Sequence, residues 1–507
     1  MSVPSPAGHG PAAAPVALSA PPGSRPVLGP ALVELAEPVL ASLRAACDRV
    51  ETDDAACAEA SRDWWPLALS WAAAGRLPAR AGAVVRPASA GEVSDVLRVC
   101  QASGVPVTPA AGRSGVCGAS IPIHGGVVID MTGLSGLGAV DDRSLLVEVA
   151  AGTFGDDLEA ALRASADLTV GHWPQSMELS TVGGWVACRG AGQYSTRYGK
   201  IEDMVVGLEA VLADGSRVRT GGLAPRAAAG PDLTQVILGS EGTLAVVTGA
   251  LLRAHPVTGH EWRAAFGFDS FVDGLDACRR ILRRGATPAV LRLYDQAESA
   301  RSFGTGDASV LIVLDEGDPA ALSATATVTE EECGPADRLD DVLVEQWLEH
   351  RNDVSALGAL ISRGYVVDTV EVAARWSALD GLYHSVVSSL RALDGTLAAT
   401  AHQSHSYADG ACLYFTFAAR PPDAGPDGWA EHYYNRAWDT VMDATIAAGG
   451  AISHHHGIGL NRSRHLPASL GPAHRMLMAI KAALDPAGIL NPGKLGLPGP
   501  WGAPAWP

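Results

Sequence analysis

The sequence predicts an α+β protein built in two main parts. Between residues 78 and 257, strand-like runs outnumber helical ones and are joined by glycine-rich turns. Between 258 and 445, a β-α-β-β-like succession suits an antiparallel sheet with helices on one face. A chain of 507 residues is also too long for a single hydrophobic core.

Taken in order, residues 1–30 are rich in Pro, Ala and Gly and read as a disordered leader. They lack the basic start and apolar run of a signal peptide. Residues 31–77 form an apolar helical segment, packed on the body through the tryptophans of "RDWWPLALSWAA". "VVRPAS" is a short strand, after which Ser89 and Glu92 form a capping box. Val93, Val96, Leu97 and Cys100 then fall on one helical face. "VPVTP" completes a βαβ unit that ends in "AAGRSGVCG", residues 110–118. "GGVVIDM" and "SLLVEVAAG" are strands, and "TFGDDLEAALRAS" is a helix with Thr153 at its start. "DMVVGLEAVLADGSRVRT" reads as a hairpin turning at Asp214-Gly215, and "GSEGTLAVVTGALLRAHP" adds a last strand. In the second part, "EWRAAFGF", "AVLRLYD" and "ASVLIVLDE" are strands and "SFVDGLDACRRILRRG" is a helix. "ATATVTEEECGPADRLDD" reads as an exposed helix and linker. Residues 446–507 carry "ISHHHGIGLNRSR", the helix "AHRMLMAIKAALDP" and the tail "AGILNPGK".

Hydrophobic residues make up 47% and charged residues 18%, the balance of a well-packed globular chain. A net charge of −18 argues against nucleic acid or an anionic membrane as main partner. No run reaches the ~20 apolar residues of a membrane-spanning helix. Eight scattered cysteines without a CxxC pair suit free thiols and a cytoplasmic setting. The expected partner is therefore a small-molecule or lipid-like substrate, and a homodimer stays open.

Five stretches carry chemistry. "AAGRSGVCG" has the small residues that let backbone N–H groups converge on a phosphate. It is neither a P-loop nor a Rossmann fingerprint, since a strand follows it. "GHWPQSMELSTVGGWVACRGAGQYSTRYGKIEDMV" (171–205) is glycine-dense and polar inside an apolar domain, so its backbone groups need a ligand or solvent. With "GSEGTL" (239–244) it suits a large planar cofactor. The three histidines, His454, His455 and His456, suit acid–base chemistry. If "AISHHH" is extended, neighbours point to opposite faces, so one or two reach the substrate and another braces the loop. In "ACLYFTFA", Leu413, Phe415 and Phe417 face the core, while Tyr414 shares the mixed face with Cys412 and Thr416.

The order of "PAAGRSG", "STVGGW", "YGKIEDMV", "GSEGTLAVVT" and "HHHGIG…DPAGILNPGK" resembles the vanillyl-alcohol oxidase/p-cresol methylhydroxylase superfamily over residues 60–495. Within it, the chain is similar to the alkylglycerone-phosphate synthases. The resemblance implies a p-cresol methylhydroxylase-type FAD-binding domain of two subdomains (78–257), an antiparallel-sheet substrate or cap domain (258–445) and a segment returning to the flavin (446–507). It implies that Ala110, Ala111, Gly112, Arg113, Ser114, Gly115 and Val116 wrap the FAD pyrophosphate. Gln175, Ser176, Met177, Ser180, Thr181, Gly183 and Gly184 would line the flavin. So would Cys188, Arg189, Gly190 and Ala191, and then Glu241, Gly242, Thr243, Leu244, Val246 and Val247. The glycine loop offers Arg113 and Ser114 where some relatives have a flavin-attaching histidine, and His124 lies well beyond it. FAD is therefore expected to be non-covalent.

The same resemblance gives Tyr414, Arg292 and the three histidines catalytic roles. It implies a redox-neutral exchange of the acyl group of a dihydroxyacetone-phosphate-like ester for an alcohol, through a flavin N5 adduct. An oxidase or dehydrogenase of a hydroxy acid or alcohol on the same scaffold is the alternative. Related dehydrogenases hold a divalent metal with a carboxylate before His-Gly-x-Gly. Here Ser453 and His454 stand in that region, so no metal is expected. The synthases' phosphate-contacting arginine, fourteen residues before the glutamate of "EVAARW", falls on Leu357. Either Arg351 substitutes for it in binding substrate, or the substrate lacks a phosphate there. A non-phosphorylated or differently placed acidic substrate is the expectation.

Overall fold

The computed structural model describes residues 11, 15–16, 26–28 and 32–504, apart from 223 and 423–426. Most of the expected leader lies outside these residues, but its end is held in place. Val27 and Leu28 donate backbone N–H groups to Leu77 and Pro78, and Leu28 is fully buried in the cluster around Trp65. Short helices Glu37–Ala46, Asp54–Glu59 and Pro66–Ala73 follow. Two of the three tryptophans in residues 31–77, Trp65 and Trp71, are buried and reach across the molecule. The Trp65 indole donates to the Tyr434 hydroxyl at 2.9 Å, and that of Trp71 to Glu431 at 2.7 Å.

The first part contains two main sheets, besides a two-stranded one that pairs Leu168–Thr169 with His255–Pro256. In the first, Ala83–Val85 and Val107–Ala110 both run parallel to Val127–Asp130, with Val50–Glu51 on the edge. The helix Ala90–Ser103 buries Val93, Val96, Leu97 and Cys100 completely, as the spacing predicts. Its cap is half the expected box: Ser89 accepts from Glu92 N–H, but the Glu92 carboxylate reaches back to Ala88 rather than Ser89. The second sheet is antiparallel, in the order Leu137–Asp141, Leu146–Ala150, Val246–Arg253, Val205–Val211, Arg217–Gly221. The hairpin at Asp214-Gly215 is present; the edge strand Leu137–Asp141 was not predicted, because its glycine and exposed positions break the alternation. Thr153 does not cap Gly155–Ala166, since its hydroxyl turns back to the Ala150 carbonyl.

The second part is one seven-stranded antiparallel sheet. Its order is Asp337–Leu339, Glu261–Phe268, Ser309–Glu316, Val290–Tyr294, Thr396–Ser406, Gly410–Ala419, Val366–Arg375. Leu413, Phe415 and Phe417 join Leu291, Leu293, Leu311 and Val313 beneath the helices Phe271–Arg283, Trp376–Arg391 and Trp429–Ala447. The opposite face packs Val290, Val310, Ile312 and Leu314 against Tyr194 and Tyr198 of the first part. One further helix, Val342–His350, lies on this second face through Leu343, Val344 and Trp347. The expected linker contributes the edge strand Asp337–Leu339. Residues near Leu490 return to the first sheet: Val107 N–H donates to Ile489 O and Asn491 N–H to Val107 O.

Candidate active site

A cavity of about 850 Å³ runs between the two parts. All seven residues from Ala110 to Val116 line it, as do Gln175, Ser176, Ser180, Thr181, Gly183, Gly184, Cys188, Gly190, Ala191, Glu241, Gly242, Val246 and Val247. Thr181 caps the helix Val182–Cys188, whose first turn therefore opens on the cavity. Four expected cofactor residues stand elsewhere. Met177 packs in the hydrophobic core, Arg189 turns out to Glu202, Thr243 hydrogen-bonds Ser240 O, and Leu244 is buried. The cavity fits FAD, and its wall contains buried polar atoms without a protein partner, both ring nitrogens of His172 and the Gln193 Oε1. His172 is fully buried, lies tilted against Trp185 with ring centroids 4.5 Å apart, and burial pushes its pKa down to about 3.

The cap side of the cavity holds Tyr414. Register places Glu371 opposite Tyr414 on one neighbouring strand and His402 opposite it on the other. Tyr414 stacks on His402 at 4.8 Å. Its hydroxyl lies 2.7 Å from His455 Nε2 and 2.8 Å from His456 Nε2. The run "AISHHH" begins extended, with Ala451 bridged to Ala373, but it does not stay so through the histidines. The loop bends because the N–H groups of His454 and His456 both donate to the Glu371 carboxylate, which brings two adjacent imidazoles to one hydroxyl. His454 is the bracing residue: it is not on the cavity wall, and its carbonyl accepts from Lys200 Nζ at 2.5 Å.

The glycines that follow complete this bend. Gly457 and Gly459 have φ of +80° and +52°. A Cβ at Gly459 would sit 2.1 Å from the Cys117 carbonyl oxygen, and one at Gly457 would meet the Glu241 carboxylate at 2.4 Å. Glu241 accepts from the N–H groups of Ile458 and Gly459, so one carboxylate pins the whole turn.

Glu371 also corrects the sequence reading, in which a carboxylate was missing beside the histidines. It comes from a distant strand and is fully buried. Besides the two N–H groups it accepts from Ser453 Oγ at 3.0 Å and from the fully buried Arg462 at 2.8 Å. Two donor sets lie within 4.8 Å, His405/His454/His455 and Glu371/Cys412/His455. His454 and His455 already share a hydrogen between their Nδ1 atoms at 2.9 Å.

Hydrogen-bond logic orders the protons. Tyr414 has one hydrogen, so one histidine accepts it and the other donates. The Glu371 carboxylate 3.7 Å from His456 Nδ1 favours a proton on that nitrogen, leaving His456 Nε2 as acceptor. His455 then donates from Nε2 and accepts at Nδ1 from His454. Burial drives the pKa of His455 well down and that of His456 to about 4, while raising Tyr414 well above the usual phenol range. All are neutral at pH 7.

Arg292 lines the cavity and donates to His402 Nε2 at 2.7 Å. A guanidinium cannot accept, so His402 carries its proton on Nδ1 and gives it to Glu298 at 2.8 Å. Burial opposes ionisation of Glu298, but His402 and the Thr400 hydroxyl outweigh it and hold the pKa down to about 2. His402, His405 and Glu298 went unread in the sequence. Period-two alternation would put His402 and His405 on opposite faces, but a bulge between Gln403 and His405 restores them to the same one. Arg351 is also on the wall, whereas Leu357 packs away from it against Leu69 and Ile361.

The profile described as "FAD binding domain" matches residues 81–221, and that of "FAD linked oxidases, C-terminal domain" matches 260–495. The FAD-linked oxidoreductase YgcU of Escherichia coli K12 is 34% identical over 82% of this chain and 88% of its own. The chain belongs to the FAD-linked oxidase family. FAD is its cofactor. Other relatives of this FAD-linked protein have two kinds of name. Alkyldihydroxyacetonephosphate synthase of Dictyostelium discoideum is 28% identical over 81% of this chain and 72% of that one. The glycolate oxidase subunit GlcD of Bacillus subtilis is 28% identical over 85% and 92%. Among solved structures, an alkyldihydroxyacetonephosphate synthase superposes with a TM-score of 0.75 at 24% identity, covering 94% of this chain and 90% of the other. p-Cresol methylhydroxylase does so at 0.73 and 16%, covering 91% and 96%. Both likenesses show that the fold is shared with these two proteins. Among the described residues, no helix is long and apolar enough to cross a membrane.

Proposed function

We propose that this enzyme uses FAD in a redox-neutral exchange of the synthase type, in which the acyloxy group of an activated ester leaves as a carboxylate and the oxygen of an alcohol takes its place on the substrate carbon. The observation that carries the reading is the Tyr414 hydroxyl held between two neutral imidazoles on the cavity wall. Such an exchange removes a proton from the substrate carbon and returns one. Tyr414 gives its proton to His456 Nε2 as it takes one from substrate, and the imidazolium formed there sits beside Glu371. His455, braced by His454, holds the Tyr414 oxygen in place and can resupply it. Arg292, fixed by His402, faces the substrate with a positive charge for developing oxyanion character. The flavin, when bound, supplies an electrophilic centre over which the substrate carbon is held. The glycine loop and the turn at Glu241 hold FAD without a covalent bond.

A second reading, oxidation of a small hydroxy acid, is favoured by the oxidoreductase names among the relatives and by a leucine, Leu357, standing where the resemblance expects a phosphate-contacting arginine. Anaerobic mixing separates the two. An acylated dihydroxyacetone-phosphate-like ester with an alcohol should give an ether product while the flavin absorbance near 450 nm recovers fully between turnovers. Stoichiometric bleaching by a hydroxy acid, with no ether formed from the ester, would replace the first reading by the second. A chelator should leave the rate unchanged; loss of activity restored by zinc or manganese would also point to the oxidising reading.

A further inference from the structure

We propose that Arg351 is the anion anchor of the substrate site, so the natural substrate carries a carboxylate or phosphate that reaches the wall beside Trp347 and Tyr194. This rests on the reading that the cap side of the cavity holds substrate. Arg351 directly follows the helix Val342–His350 and lines the cavity. Its guanidinium lies over the Tyr194 ring at 5.2 Å and the Trp347 ring at 5.6 Å. That packing restricts the side chain and leaves its planar fork free to engage an acid. The Gln193 side chain donates to the Arg351 carbonyl at 3.4 Å, fixing the backbone as well. Among the described residues, the NH1 of Arg351 is buried without a hydrogen-bond partner. A buried guanidinium nitrogen is rarely left so unless a ligand completes it.

The charge around the cavity argues the same way. The whole chain is at −18, yet the only acidic residue on the cavity wall among those described is Glu241, whose carboxylate accepts from Ile458 and Gly459. Arg113, in the glycine loop, faces Asp130 at 3.7 Å. Arg292 and Arg351 both line the cavity from the cap part and have no carboxylate partner among the described residues. An acidic protein that keeps two unneutralised arginines in one cavity is arranged to draw in an anion. Because Leu357 is turned into an apolar cluster, this anchor stands on a different element from the helix Ser355–Ser362.

The test uses the full FAD-loaded chain and the flavin difference spectrum. Probes are glycolate and lactate, glycerol 3-phosphate and inorganic phosphate, with propane-1,2-diol and glycerol as neutral counterparts. At least one acid should saturate while the diols do not, and the better of the carboxylate and phosphate arms identifies the group. Arg351→Met should raise the Kd of that acid on the order of 10–100-fold, the usual range for one charge-assisted hydrogen-bonded contact. Arg351→Lys should fall between, keeping charge but losing the fork. Arg363→Met, in a residue outside the cavity, should bind acids like wild type. FAD content should be equal throughout. Equal binding of acids and diols, no anion binding, or an unchanged Kd in Arg351→Met would overturn the proposal. Loss of FAD from Arg351→Met would overturn it too, making the arginine a flavin contact. If Arg351 only satisfied the carbonyls ending its helix, the variant would lower Tm and leave acid affinity alone. Acid binding through Arg351 without ether formation would sink the proposed exchange and keep this anchor.

Discussion

Tyr414 carries one proton and has two imidazole neighbours, so its hydroxyl cannot be satisfied by both in the same sense. That constraint turns three histidines and a phenol into a directed chain rather than a cluster. Tyr414→Phe removes the only oxygen in it that faces the cavity, and His455→Ala removes the group that holds the oxygen. Each should lower kcat by about 10²–10⁴-fold, the usual contribution of positioned proton transfer, with FAD content unchanged. Near wild-type turnover in either variant would mean the proton moves elsewhere.

At the scale of elements, the decisive feature is a loop that folds onto a carboxylate. Glu371 accepts from two backbone N–H groups, Ser453 and Arg462, and so fixes the bend of residues 453–456 against the edge strand Val366–Arg375. The histidines of the bend are buried neutral, and this has a sign. Their folded pKa values lie below the unfolded value of about 6.5, with His456 near 4, so in acid the unfolded chain binds protons that the folded one refuses. The stability they contribute is complete above about pH 6.5 and is lost as the pH falls through the folded values. Unfolding midpoints measured from pH 7.5 down to 4 should fall, and more steeply in wild type than in His456→Gln, which removes one such group. Parallel slopes in the two proteins would contradict the burial of a neutral imidazole there.

At the scale of the whole molecule, the cavity is walled by parts that are hundreds of residues apart in the chain. Asn491 alone ties the Ala119 carbonyl beyond the glycine loop to the Glu241 carbonyl, at 3.0 and 2.6 Å. The glycine loop contains no histidine, and His124 is not on the cavity wall but against Trp501. Acid precipitation should therefore release all the FAD to the supernatant, as read by its absorbance there. Flavin that stays with the pellet would mean a covalent bond, and His172, with two unpartnered nitrogens on the wall, would be the first residue to replace.

Local pattern was enough for the elements whose partners are near in sequence. The spacing of Val93, Val96, Leu97 and Cys100, the turn at Asp214-Gly215, and the alternation that puts Leu413, Phe415 and Phe417 in the core each follow from a period of 3.6 or 2. The motifs gave the family, the glycine loop and Tyr414 for the same reason, as each is contiguous. Other features depended on contacts that no window of sequence contains. A bulge carries His405 to the side of His402, a strand more than eighty residues away supplies Glu371 to the histidine loop, and two aromatic rings from different parts of the chain leave Arg351 facing the cavity. A side chain's role there is set by which neighbours fill its hydrogen bonds, and those neighbours are chosen only when the chain is folded.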